Sequence, residues 1–452
     1  MQGSIVLFCE SCDIMGRTKE QNSEKDGDKF MEQTYTTKNG IAIYSYPNEH
    51  LHSFCICLYV KVGCLYEREE ENGITHLLEH LAFRNIDGMM EGTLYQTLDR
   101  YGLSFNASTY KEFVQFIITG ATQHYDIAVD IITKVLQPLD ISREKIELEK
   151  QRVKAEIREK GYEKSLDCFT DQIIWKGTGL TRDIAGKIGT LNKMGKATLE
   201  NAHKRMFSVN NIFFYLTGNV TEQQIQNLSS KIECFTIDET EPDHTNEAPI
   251  PDGFLQRNGQ VEIKNNDYCL VRFSFDIDMK KYTNAEIDLL YDILFSGDSC
   301  VVYQELSEKS GLIYSFDARF EQYKNLGNVY FSYEIRHNVL MDSIEKILKR
   351  LHNLKQEMKD ELTHVIAPYV DNAYIMYDDV DDFNWSFAYE NHILDCGYQS
   401  IEDRKNAYES VTVDRLKEIA NEILTKENLV VTLKGQKKKI DLDKIRELTN
   451  LL

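Results

Sequence analysis

No stretch of this 452-residue chain approaches the roughly 20 uninterrupted apolar residues of a membrane-spanning helix, so no membrane span is expected. Positive charge is also short. Lys and Arg number 52 against 73 Asp and Glu, a net charge of −21. Phosphate affinity needs a positive surface, so nucleic-acid binding is not expected either. No targeting signal is legible at the N-terminus. Ile5 to Phe8 is too short for a signal-peptide core. The first thirty residues carry six acids (Glu10, Asp13, Glu20, Glu24, Asp26, Asp28) against four bases, unlike an Arg-rich transit peptide. Ten cysteines do not make a disulfide scaffold in a chain this long. Cys55 and Cys57 in SFCICLYV and Cys269 in YCLVRF sit in strand-like apolar runs, where thiols act as small hydrophobes. That fits a reducing compartment, and a cytoplasmic location is expected. Cys9 and Cys12 lack the second pair a zinc ribbon requires and read as part of a tail.

Hydrophobic residues at 42% and aromatics at 11% allow a globular interior, and the length suits two or three cores. Proline is scarce, six in all, and three of them (Pro242, Pro249, Pro251) fall within residues 236–253. That stretch, TIDETEPDHTNEAPIPDG, is acidic and has no apolar periodicity, as a linker would. The expected layout is a lead-in over 1–34, a first domain over 35–235, the linker over 236–254 and a second domain over 255–452. Strand-like runs are expected at Ile41–Tyr46, Ser53–Val62, Phe113–Gly120, Asn211–Val220, Tyr268–Ile277, Ile313–Phe320, Asn328–Ile335 and Asn428–Leu433. Amphipathic helices alternate with them, among them Gly73–Asn85, Ser142–Lys160, Val339–Glu357 and a segment around 360–375. The fold class is therefore α+β, two tandem domains each with a mixed sheet and helices packed on it.

The informative residues are His76-Leu77-Leu78-Glu79-His80. Residues i and i+4 share a helix face, so His76 and His80 can hold one ion between them. Glu79 stands beside them, placed to take a proton from an activated water. Catalytic zinc takes three protein ligands and a water, so a third ligand, most reasonably a carboxylate, should come from elsewhere.

With this motif the chain resembles the pitrilysin or insulinase-type metallopeptidases, especially the short forms related to mitochondrial processing peptidase. The likeness runs through KVGCLYE (Lys61–Glu67), EENGITHLLEHLAFRN (Glu70–Asn85) and LSFNASTYKEFVQF (Leu103–Phe116), and covers about residues 35–435. The family's third ligand is a glutamate 76 residues beyond the second histidine, on a helix carrying two glutamates seven apart. Glu149 and Glu156 stand at those places. The resemblance thus implies one zinc ion per chain held by His76, His80 and Glu156, with Glu149 in support and Glu79 as general base. Without that spacing, Glu149 and Glu156 would read as a solvated acidic face. The resemblance also implies that Asn106 and Ala107 belong to a strand that pairs with extended substrate, and that Tyr314 donates to the reaction's oxyanion. Phe83 could line a side-chain pocket or be a core aromatic. The family's arginine partner to the tyrosine is replaced by Ser307, with Lys309 nearby. A serine cannot supply a fixed cationic fork.

The function expected from the resemblance is a zinc endopeptidase acting on unfolded peptides, with each chain forming one half of a clamshell dimer. The serine keeps open a heterodimer in which a related subunit brings the arginine. A non-catalytic peptide-binding scaffold is a further alternative, but it has no need of Glu79. The remaining histidines, such as His203, His337 and His392, have no ligand spacing and read as ordinary.

Overall fold

The computed structural model describes residues 31–237, 247–251, 256–358 and 361–452. The segment with Cys9 and Cys12 and much of the proline-bearing stretch lie outside the described residues. Two mixed sheets organise the rest. The first contains β1 (Gln33–Thr36), β2 (Ala42–Pro47), β3 (Ser53–Val60), β4 (Ser104–Thr109), β5 (Val114–Ala121) and β6 (Ile212–Gly218), in the order β1-β2-β6-β3-β5-β4. The second contains β7 (Gln260–Asn265), β8 (Leu270–Asp278), β9 (Asp317–Gln322), β10 (Leu326–Glu334) and β11 (Val430–Gly435), in the order β7-β11-β8-β10-β9. Each has one parallel pair, β2 with β6 and β7 with β11, and antiparallel pairs elsewhere. Without β1, the two orders superimpose strand for strand, so the duplication expected from the layout is present in the topology.

Helices cover the sheets. In the first half these include α1 (Ile74–Met89), α2 (Leu94–Tyr101), α3 (Tyr125–Ile132), α4 (Arg143–Lys160) and α5 (Leu166–Ile174). One face of β3 (Phe54, Ile56, Leu58, Val60) joins the main core beneath α1 and α3. The opposite face (Cys55, Cys57, Tyr59) is equally buried, because aromatic residues of the helix Val380–Ala388 from the second half pack over it. This is why β3 reads as a continuous apolar run and not an alternating one. Asn384 secures the contact, donating to the Tyr215 carbonyl at 3.0 Å and accepting from the Tyr59 hydroxyl at 3.2 Å.

The first half returns the exchange through α5, which lies on the second sheet. Here the covered face is polar. Val271, Phe273, Phe275 and Ile277 of β8 enter the core, while Arg272, Ser274 and Asp276 on its other face are fully buried. Arg272 reaches Asp167 of α5 at 2.7 Å and stacks over Tyr330 at 3.5 Å, and Thr170 meets Thr432 at 2.6 Å. Buried charge is tolerated only when paired in this way.

Three expectations need correction. The strand expected at Ile313–Phe320 begins only at Asp317, because the Leu312 and Ile313 amides fold back to the Leu306 carbonyl. The helix expected around 360–375 spans only Glu361–Val365 among the described residues. Pro368 disfavours helical backbone just before it and removes an amide, and turns follow. The helix at Val380–Ala388 had no counterpart in the expected layout. Among the described residues, no helix is long and apolar enough to cross a membrane.

Candidate metal centre and active site

The N-terminus of α1 is built to hold its first histidine. Glu67 accepts from the amides of Gly73 and Thr75, both at 2.8 Å, and so caps donors that the helix leaves unpaired. Burial raises the Glu67 carboxyl above its ordinary range even with these bonds. Gly73 takes φ +94°, and a Cβ there would stand 2.7 Å from the Ala185 carbonyl, so only glycine allows this close approach. Arg182 clamps the preceding loop from the other side through the Leu65 carbonyl at 3.0 Å.

From that start, α1 presents His76 and His80 on one face toward Glu156 of α4. His76 Nε2 lies 3.6 Å and His80 Nε2 3.7 Å from the same Glu156 oxygen, Oε2. Ligands at about 2.0–2.1 Å around a tetrahedral zinc would stand roughly 3.3 Å apart, so these atoms need to close by only a few tenths of an ångström. Ligand atoms of His76, His80 and Glu156 lie within 4.8 Å of one another, and no other such group of His, Cys, Asp or Glu occurs among the described residues. Two imidazoles and a carboxylate are the donor chemistry of a catalytic zinc site. The residues fit the ion.

The electrostatics agree. Burial, and secondarily His80, lowers the His76 imidazole to about 4, which keeps it neutral and able to ligate near pH 7. Burial would lift the Glu156 carboxyl, but a 2.5 Å bond from Lys160 and the two histidines hold it below its ordinary value. Behind His80, the Glu149 carboxylate stands 3.5 Å from Nδ1 and is itself held by Arg84 at 2.5 Å and Arg152 at 3.2 Å. Such a carboxylate orients the ring and fixes which nitrogen faces the ion. Glu79 accepts a 2.7 Å bond from the Thr109 hydroxyl. Burial raises its carboxyl above the ordinary range, against the pull of that bond.

The two histidines, Glu79 and Glu156 line a cavity of about 760 Å3 between the halves. The first half supplies His76, Glu79, His80, Ala107, Thr109 and Glu156, and the second supplies Arg319, Glu321 and Tyr330. Ala107 therefore reaches the site. Asn106, beside it on β4, is exposed and does not line the cavity; its side-chain oxygen accepts from the Ala107 amide at 2.9 Å. Phe83 is partly buried and packs against the core and on Phe105, with ring centroids 4.9 Å apart, outside the cavity. Tyr314 is 93% exposed on a loop and does not line its own chain's cavity. Lys309, the base near Ser307, pairs with Glu305 at 3.7 Å and also stays outside.

Sequence reasoning passed over Glu67, Arg84, Thr109 and Lys111. All four lie within the segments that carry the family likeness, yet their roles depend on contacts made in space. Lys111 is largely covered where the halves meet, donating to the Leu180 carbonyl at 2.9 Å and flanked by Asp171 at 3.5 Å and Glu321 at 3.6 Å.

Comparison with known proteins identifies the family. The profile described as insulinase (peptidase family M16) matches residues 43–187, and the profile described as peptidase M16 inactive domain matches residues 193–366. The chain belongs to the M16 peptidase family. It is 25% identical over 334 residues to a zinc protease of Rickettsia felis named as uncharacterized, covering 72% of this chain and 76% of that one. It is 24% identical over 201 residues to the mitochondrial-processing peptidase subunit beta of Neurospora crassa, covering 44% of this chain and 42% of that one. A protease from Helicobacter pylori has the same fold, with a TM-score of 0.79 at 18% identity over 90% of this chain and 99% of that chain.

Proposed function

We propose that this M16 chain is a zinc-dependent endopeptidase that hydrolyses extended, unfolded peptides. The observation that carries the reading is the convergence of His76, His80 and Glu156 beside Glu79 in one cavity. When bound, zinc supplies a Lewis-acid charge that polarises water and the scissile carbonyl. His76, His80 and Glu156 hold it, and Glu149 keeps His80 turned toward it. Glu79 takes the proton of the attacking water and returns it to the leaving nitrogen, the task for which a carboxyl raised above its ordinary range is suited.

β4 is the edge strand of the first sheet, so one side of its backbone is free to pair with a peptide. Strand addition demands an extended substrate and excludes folded ones. It gives affinity with little dependence on sequence.

A paired assembly is favoured by one further observation. Tyr314 is exposed at 93% and lies outside the cavity of its own chain. We read it as presented to the site of a second subunit, either another copy or a related chain. Ser307 in place of an arginine would then mean that the partner, or the substrate, supplies what this chain does not.

The test is cleavage of an unstructured peptide mixture, followed by mass spectrometry. Activity should disappear with a chelator and return with about one equivalent of zinc. Cleavage that survives complete metal removal contradicts the reading. Zinc bound without cleavage points instead to the heterodimer.

A further inference from the structure

Thr109 is the last residue of β4, and its side chain belongs to the strand's inner face. Alternation along Ser104–Thr109 places Phe105, Ala107 and Thr109 on the same side. Phe105 and Ala107 pack against the core beneath α1, so that side is the one that meets the catalytic helix. At its end the Thr109 hydroxyl donates to Glu79 Oε2 at 2.7 Å. This is the only hydrogen bond to the Glu79 carboxylate among the described residues. A glutamate side chain has three rotatable bonds, and a terminal carboxylate rotates broadly unless something holds it. The helix fixes Glu79 only as far as its Cα and Cβ; Thr109 fixes the carboxylate plane.

From this we infer that Thr109 is a positioning residue for the general base. Its hydroxyl engages one carboxylate oxygen, Oε2, and leaves Oε1 without a hydrogen-bond partner among the described residues, free to accept from water. Because Thr109 also ends the strand whose free edge would receive substrate, one element sets both where the peptide backbone lies and where the base points. The inference rests on the hydrolytic role proposed for Glu79. It is separate from metal binding, since Thr109 touches none of His76, His80 and Glu156 in the hydrogen-bonding of the described residues.

The experiment uses the full zinc-loaded chain with Thr109→Val, which keeps the shape and removes the donor, and Thr109→Ser, which restores it. Steady-state peptide cleavage, zinc stoichiometry and melting temperature are read for each. In Thr109→Val, kcat should fall about 10- to 100-fold with KM within about twofold and zinc retained, a sizeable part of what a general base contributes. Thr109→Ser should recover to within about threefold. A kcat for Thr109→Val within twofold of native overturns the inference. So does equal impairment of the Val and Ser variants, or loss of zinc from Thr109→Val. Should Val lower the melting temperature by more than about 5 °C, Thr109→Ala takes its place under the same criteria.

A second readout does not depend on activity. Crystal structures should show the Glu79 carboxylate in one position in the native and Ser chains, and displaced or doubled in the donor-less variant. An unmoved carboxylate overturns the inference. If the native zinc-loaded chain cleaves nothing, the hydrolytic reading fails, while these structures still decide whether Thr109 holds Glu79.

Discussion

Replacing Lys111 with methionine tests whether the two halves are held together by buried charge. Lys111 is 13% exposed, and it stands between Asp171, 4% exposed, and Glu321, 27% exposed. Burial opposes the lysine's charge, yet Glu321 and Asp171 raise its pKa above the ordinary value. Burial lifts Asp171 above its ordinary range against the pull of Lys111. Lys111→Met keeps an unbranched apolar stem but strands two carboxylates and removes the ammonium that stands 4.9 Å from the Trp175 ring centre. Removing one partner of a buried pair costs about 3–5 kcal/mol. Glu321 can turn toward water, so the lower end, about 3 kcal/mol, is expected. At about 2.1 cal/mol/K per residue, a chain of this length unfolds with an entropy near 0.9 kcal/mol/K, which converts that loss to a fall of about 3 °C in Tm. Urea unfolding of the native, Lys111→Met, Glu321→Gln and double-variant chains completes a thermodynamic cycle across the halves. A coupling of about 1.5 kcal/mol between Lys111 and Glu321 is expected. A coupling below about 0.5 kcal/mol would refute a role for this pair in joining the halves.

Other outcomes follow from the same geometry. Glu149→Gln should weaken zinc affinity about 10- to 100-fold by competition with a fluorescent chelator, since it orients His80 without touching the ion; unchanged affinity would remove Glu149 from the site. Phe83→Ala should destabilise the chain by about 1–3 kcal/mol, less than the roughly 3–5 kcal/mol of a fully buried aromatic, while leaving the KM for peptides unmoved; a raised KM with little loss of stability would return Phe83 to the substrate pocket. Burial lowers His203 to about 4, so between about pH 6.5 and 4 the unfolded chain binds a proton that the folded chain does not. Stability therefore falls as pH falls through that window. His203→Gln should flatten the slope by up to about 1.4 kcal/mol per pH unit in urea titrations, and an unaltered slope would show that His203 protonates in the folded state.

How far the sequence could carry depended on where each residue's partners lie. His76, Glu79 and His80 were legible because one helical turn brings them together, and the helix was plain from its apolar spacing. Glu156 needed the family resemblance. Nothing local distinguishes it from Glu144, Glu147 and Glu159, and only the packing of α4 on α1 selects it. Asn106 and Ala107 were placed on one strand through the same resemblance, and alternation on β4 lets Ala107 line the cavity while the Asn106 side chain is exposed. Of the two readings open to Phe83, the close approach of Phe105 favours the one that packs it against the core. The capping carboxylate of Glu67 and the clamp from Arg84 depend on partners that local spacing does not reveal. The double burial of β3 was visible as an unbroken apolar run, yet its cause, a helix arriving more than 300 residues later in the chain, was not. Lys111 carries no local signal, and it is largely covered because both halves meet there.

The central claim is that Glu79 moves a proton beside a zinc held by His76, His80 and Glu156. Its most direct test is mass-spectrometric detection of peptide cleavage by the native chain and by Glu79→Gln, with zinc stoichiometry measured in both. The account predicts one zinc per chain in each and cleavage lost by at least about a hundredfold in the variant. Cleavage by Glu79→Gln at the native rate, with zinc bound, would contradict it.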